Sequence, residues 1–238
     1  MTGLIVIPAY NEEANLPGVL SRLREQKRPE DIVVVDDGSR DDTAAVALRQ
    51  GVGVVSHPIN LGYSKAVQTG LRLALKRGHD YCVILDADGQ HDPSCVAALV
   101  ERARLEPGTD IVIGSRFLNP PRYNAPLGRR IGMMIFSALT RVLAGTRIYD
   151  TTSGFKWMSR RAMKEVVPLS GGDLHSEMII YGLLRGLRIV EVATIMGERK
   201  QGQSMYNLLS SLTYPLKTLL SIVILFLEAR REGEVRHA

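Results

Sequence analysis

Residues 31–56 read DIVVVDDGSRDDTAAVALRQGVGVVS. The apolar part of Asp31 to Val35 is β-branched and too short for a helix, and Asp36-Asp37-Gly38-Ser39 carries turn chemistry. Thr43 to Gln50 has helical composition, and Gly53 to Ser56 opens a second apolar run. Strand, turn, helix and strand in this order make a β-α-β unit, which predicts parallel pairing of the two strands. The same alternation extends outward on both sides. Leu4 to Ile7, Tyr81 to Leu85 and Asp110 to Gly114 are further buried strands, and Ala14 to Gln26, Lys65 to Arg77 and Pro93 to Glu106 are further helices. Asp92-Pro93 supplies a cap and a proline at a helix start, and Gly51, Gly78 and Gly108 lie near helix ends. The expected fold is a doubly wound α/β domain that binds ligands beyond the carboxyl ends of its strands. The chain has 238 residues, 45% hydrophobic and 23% charged, which excludes disorder, collagen-like repeats and a multi-span membrane protein. Its formal net charge of +5 suits an anionic partner.

The strand ends share one character: Pro8-Ala9-Tyr10-Asn11-Glu12, Asp36-Asp37-Gly38-Ser39, Asn60-Leu61-Gly62 and Asp86-Ala87-Asp88-Gly89-Gln90 are polar or acidic. Two carboxylates one residue apart at the end of an apolar strand repel each other unless a positive charge lies between them. Asp86 and Asp88, with the amide oxygen of Gln90, would suit magnesium or manganese carrying a diphosphate. Each motif alone has a plainer reading. Asp36 or Asp37 can cap the next helix, and Glu12 can be a first-turn carboxylate favoured by the helix dipole. Four polar ends on one sheet edge favour a nucleotide site. His91 reads either as a residue supporting that site from behind or as a solvent-facing loop histidine rather than as a metal ligand, and His57, His79, His175 and His237 show no ligand spacing. Cys82 and Cys95 cannot form a disulfide framework, so a reducing compartment is expected.

On these residues the chain resembles the inverting family 2 glycosyltransferases of GT-A fold, and among them the dolichol-phosphate or polyprenol-phosphate mannosyl- and glucosyltransferases. Matching segments are Ile7 to Glu12, Val35 to Ser39 with Asp41 and Thr43, Asn60 to Gly62, Asp86 to Pro93, Gly114 to Phe117, Asp150 to Phe155, and Arg199 with Gly202 and Ser204. The resemblance implies a Rossmann-like GT-A domain with a mixed central sheet over residues 1–204. Its nucleotide-sugar half would be 1–117, its acceptor half 118–204. It further implies that Pro8, Tyr10, Glu12 and Asp37 hold the nucleoside of a GDP- or UDP-hexose. Asp86, Asp88 and Gln90 would hold Mg2+ or Mn2+ with the diphosphate. Arg116, Arg130 and Arg199, with Ser204, would meet the phosphate of a polyprenyl acceptor. Asp88, Arg116, Arg199 and Glu177 are the catalytic candidates on this basis. Glu177 also opens a helix, where a carboxylate is favourable anyway, so both readings stay open. Met205 stands where many relatives carry lysine.

The second half has less regular punctuation. Gly128 to Gly145 reads as a helix apolar on more than one face, with Arg129, Arg130, Arg141 and Arg147 at or near its ends. Ser176 to Leu184 reads as a helix and Arg188 to Val192 as a strand, while Phe155 and Trp157 are expected in the core. From Tyr206 to Leu227 the only charge is Lys217. The apolar core of that stretch, Leu219 to Leu227, would span roughly 14 Å as a helix, under half of the ~30 Å hydrocarbon thickness. Residues 205–238 are therefore expected to be an amphipathic helix and tail lying on the protein or in the membrane interface, with a short or tilted span as the alternative. The N-terminus lacks a signal-peptide pattern. The expected protein is a hexosyltransferase peripheral to the cytoplasmic membrane face, with no nucleic-acid partner. Transfer to a sugar hydroxyl or another lipid, and a non-catalytic nucleotide-binding module, remain the alternatives.

Overall fold

A computed structural model describes residues 1–118, 137–138, 140–142, 147–169 and 176–194. The amino-terminal half alternates as the sequence predicts. It runs β1 (Gly3–Ala9), α1 (Leu16–Glu25), β2 (Asp31–Asp36), α2 (Thr43–Arg49), β3 (Gly53–Ser56), α3 (Tyr63–Lys76) and β4 (Tyr81–Ile84). A short 3₁₀ turn at Pro93–Cys95 leads into α4 (Val96–Leu105), followed by β5 (Ile111–Ser115). The Asp92 carboxylate accepts the Ser94 N–H at 3.0 Å, which is the expected cap. The carboxyl-terminal part adds β6 (Lys156–Ser159), α5 (Arg160–Val166), α6 (Ser176–Leu184) and β7 (Ile189–Ala193).

Among the described residues the sheet has seven strands in the order β3-β2-β1-β4-β6-β5-β7. β6 is antiparallel to both β4 and β5, and the other neighbours are parallel. β6 and α5 are absent from the sequence reading. A four-residue strand that begins with a lysine offers no period-2 signal, and its place between two apolar strands comes from tertiary pairing.

Alternation along the strands builds two cores. Leu4 and Val6 of β1 join α3 and α6 on one face, whereas Ile5 and Ile7 join α1 and α4 on the other. Phe155 and Trp157 are buried in the second core, as expected. Gly70 of α3 has no room for a Cβ against the Val6 side chain, so the helix can lie directly on β1. Leu71, on the same helix, is fully buried. Truncating such a side chain to alanine typically costs about 2–5 kcal/mol.

The connections set the place of the site. From β1 the chain winds through β2 to β3 at one edge, then crosses back through α3 to β4 on the other side of β1. The order therefore reverses between β1 and β4, and a crevice forms outside their carboxyl ends. The β1/β2 ladder runs to Ala9↔Asp36, while the β1/β4 ladder stops at Val6↔Ile84. Pro8, which has no N–H to give, lies beyond that stop.

Candidate active site

Three loops meet at the crevice, and the first two are zipped together. Asn11, at φ 54°, donates its N–H to Ser39 Oγ at 3.0 Å, and its side-chain oxygen accepts the Arg40 N–H at 2.8 Å. The Glu12 N–H reaches Thr43 Oγ1 at 2.8 Å, and the Glu12 carboxylate accepts from Asn15 Nδ2 at 2.7 Å. Glu12 thus precedes α1 and orders its approach. Pro8 is buried in β1, while Tyr10 is half-buried at the strand end.

The adjacent aspartates divide their work. Asp36 closes the turn by accepting the Ser39 N–H at 3.1 Å. Asp37, 3% exposed, grips the loop after β3. Its Oδ1 accepts the Leu61 N–H at 2.9 Å and lies 2.6 Å from His57 Nδ1, and its Oδ2 accepts the Gly62 N–H at 2.7 Å. The other ring nitrogen of His57 lies 2.9 Å from Thr69 Oγ1 on α3. His57 is therefore structural, and Asp37 braces the fold at the position where the resemblance puts a nucleoside contact.

Asp86 and Asp88 follow β4. Asp86 Oδ1 accepts the Tyr63 hydroxyl at 2.9 Å, and Asp86 Oδ2 lies 3.8 Å from His91 Nε2. His91 is buried with its ring tilted against Phe155 at 5.2 Å. Burial lowers its pKa and outweighs the opposing pull of Asp86. Gly154 closes the other side: a Cβ there would overlap both Asp86 oxygens and sit 2.7 Å from the Tyr63 hydroxyl. Asp88 Oδ1 accepts the Gln90 N–H at 3.0 Å. Asp88 and Gly89 line a cleft of about 390 Å³ together with Ala14, Asn15, Gly18 and Arg22.

Among the described residues no three His, Cys, Asp or Glu side chains form a ready metal cluster. Asp86 and Asp88 with the Gln90 amide are a set of hard oxygen donors. That chemistry fits Mg2+ or Mn2+, which commonly share their coordination between a few protein oxygens, water and substrate phosphate.

Beyond β5, Arg116 forms a fork on Asp150. Its Nε and Nη2 donate to the two carboxylate oxygens at 2.7 and 2.6 Å, its own N–H adds a bond at 3.0 Å, and Nη2 also reaches Thr152 Oγ1 at 2.7 Å. Burial tends to raise the Asp150 pKa, but the Arg116 hydrogen bonds and charge overcome it and hold the group below the ordinary carboxylate range. Glu191 of β7 accepts the Tyr149 and Asp150 N–H groups, each at 2.8 Å. Burial pushes the Glu191 pKa up. Glu177 is buried in the first turn of α6. Arg130, Arg199, Ser204 and the stretch 205–238 lie outside the described residues. Sequence reading missed Tyr63 and Glu191 as parts of this region and quoted Thr152 only within its motif, with no role of its own. Gly154, quoted within its motif, carried the only local signal of a close approach.

The glycosyl transferase family 2 model matches residues 4–167. The chain is 32% identical to an undecaprenyl-phosphate mannosyltransferase of Micrococcus luteus, covering 86% of this chain and 87% of that protein. It is 31% identical to a UDP-N-acetylglucosamine–dolichyl-phosphate N-acetylglucosaminyltransferase of Methanococcus voltae, covering 79% and 82%. A solved structure of similar fold is glucosyl-3-phosphoglycerate synthase from Mycobacterium tuberculosis in complex with Mn2+, uridine diphosphate and glucosyl-3-phosphoglycerate. Its TM-score is 0.69 at 22% identity, covering 93% of this chain and 79% of that one. With its seven-stranded mixed sheet, its acidic turn at the switch point and this match across most of its length, the chain belongs to glycosyl transferase family 2 and is a glycosyltransferase of GT-A fold.

Proposed function

We propose that the protein transfers a hexose, mannose or glucose, from a GDP- or UDP-sugar to a polyprenyl phosphate, with inversion and with a divalent metal. The observation that carries this reading is the Asp86–Gln90 turn, which places hard oxygen donors at the switch point of the sheet. The polyprenyl acceptor is supported by the relatives named above, two enzymes of lipid phosphates matched along most of both chains. In this reading Pro8, Tyr10, Glu12 and Asp37 border the nucleoside. Asp86, Asp88 and Gln90 would hold Mg2+ or Mn2+, whose charge offsets that developing on the leaving diphosphate.

The acceptor phosphate needs no strong base, because a phosphate monoester with a second pKa near ~6 is already anionic at neutral pH. One of its oxygens attacks the anomeric carbon as the bond to the nucleoside diphosphate breaks on the opposite face. Arg116, held in a fixed orientation by Asp150 and Thr152, is assigned to the acceptor phosphate with Arg130 and Arg199. Among the described residues no helix is long and apolar enough to cross a membrane. Contact with the cytoplasmic membrane face is assigned to the apolar segments around 128–145 and 205–231. The test is a matrix of labelled sugar nucleotides against polyprenyl phosphate, with and without manganese, read as lipid-extractable label. Label transferred only to soluble sugars would overturn the acceptor assignment.

A further inference from the structure

We propose that Tyr63 is a positioning residue for Asp86, and that the segment 57–63 ties the nucleoside end of the crevice to its metal end. The inference rests on the reading of Asp86 as a metal carboxylate. Tyr63 is the first residue of α3, and its hydroxyl donates to Asp86 Oδ1 at 2.9 Å. The two residues before it are pinned by Asp37 through the Leu61 and Gly62 N–H groups at 2.9 and 2.7 Å. His57, at the start of the same segment, bridges Asp37 to Thr69 on α3. One short stretch therefore runs from the buried Asp37 to the hydroxyl on Asp86.

A carboxylate just past a strand end can turn about its side-chain bonds. Here Tyr63 holds one oxygen and the bare Cα of Gly154 walls the group where any Cβ would collide with it. His91 flanks the second oxygen at 3.8 Å. The orientation of Asp86 is thus set before a metal arrives. Groups that orient metal ligands in this way are typically worth about 10-fold to 100-fold in metal affinity.

The test measures Mn2+ binding to the full chain in the presence of a nucleoside diphosphate, by the loss of the free-ion paramagnetic signal, in wild type, Asp88→Ala and Tyr63→Phe. Tyr63→Phe keeps the ring and removes only the hydroxyl. Mn2+ affinity should fall by about 10-fold to 100-fold, with metal-free nucleotide binding and Tm unchanged. In an Asp86→Asn background the same substitution should add nothing, since the tyrosine acts through that carboxylate. Unchanged Mn2+ binding in Tyr63→Phe while Asp88→Ala has lost it would overturn the role of Tyr63 alone. An equal further loss in the Asp86→Asn background would show that Tyr63 acts elsewhere, and a wild type that binds no Mn2+ would overturn the metal reading together with this inference.

Discussion

Asp37 and Asp86 occupy corresponding places, each in an acidic turn at the end of a buried parallel strand, yet their partners differ. Asp37 is enclosed and meets two backbone N–H groups and a histidine. Asp86 is half-buried and hydrogen-bonds one hydroxyl, next to a turn that borders a cleft. A carboxylate satisfied by the backbone stabilises a loop, whereas one that accepts a single side-chain hydroxyl has further oxygen lone pairs to offer a ligand. Residue type therefore does not separate a brace from a binding group at a strand end; the partners do.

The largest expected effect tests the binding side of that contrast. Asp88→Ala should abolish transfer and metal-dependent nucleotide binding while leaving Tm nearly unchanged, because the residue stands on the turn outside both cores. Calorimetric titration of the donor nucleotide with and without manganese decides it, and metal-dependent affinity equal to wild type would remove Asp88 from the metal set.

Asp37→Ala should instead lower stability, with donor-nucleotide affinity falling alongside it. The substitution removes a buried carboxylate that accepts the Leu61 and Gly62 N–H groups and meets His57, a loss of about 1–3 kcal/mol for hydrogen bonds to a charged group. Denaturant unfolding should show a loss of that order. Asp86→Ala, by contrast, should unfold close to wild type and fail in Mn2+ binding. Equal stability losses in the two variants would erase the distinction.

A smaller effect concerns the Arg116–Asp150 fork. The Asp150 pKa in the folded protein lies below its ordinary value of 3.8. Its contribution to stability is therefore present above that value and is lost as pH falls through the lower folded-state pKa. Melting curves from pH 5 downward should show wild type losing stability in the acid range below about pH 4 more steeply than Asp150→Asn. Parallel curves would indicate that the fork does not titrate with folding. Arg116→Ala should also damage acceptor use more than donor binding.

The smallest effect is expected at Glu177, buried in the first turn of α6. With a phosphate acceptor, Glu177→Gln should slow transfer only a few-fold. Loss of a general base typically costs about 100-fold to 10,000-fold, so a decrease of that size with donor binding intact would favour a hydroxyl acceptor.

The apolar runs and their turn residues by themselves determined the α/β class, six of the seven described strands and the sheet edge to which a site could be assigned. A buried strand must be apolar along its length, and the chain must turn at its ends, so both facts are written locally. Asp86, Asp88 and Gln90 could be grouped from the sequence for the same reason, being neighbours in the chain. Only the tertiary structure decided that β6 inserts antiparallel between β4 and β5, because a four-residue strand carries too little pattern to identify itself. It alone separated Asp37 from Asp86, paired Arg116 with Asp150 across 34 residues and brought Tyr63 to Asp86 across 23. A hydrogen bond between distant residues depends on where the packed sheet places them, and no local periodicity records that placement.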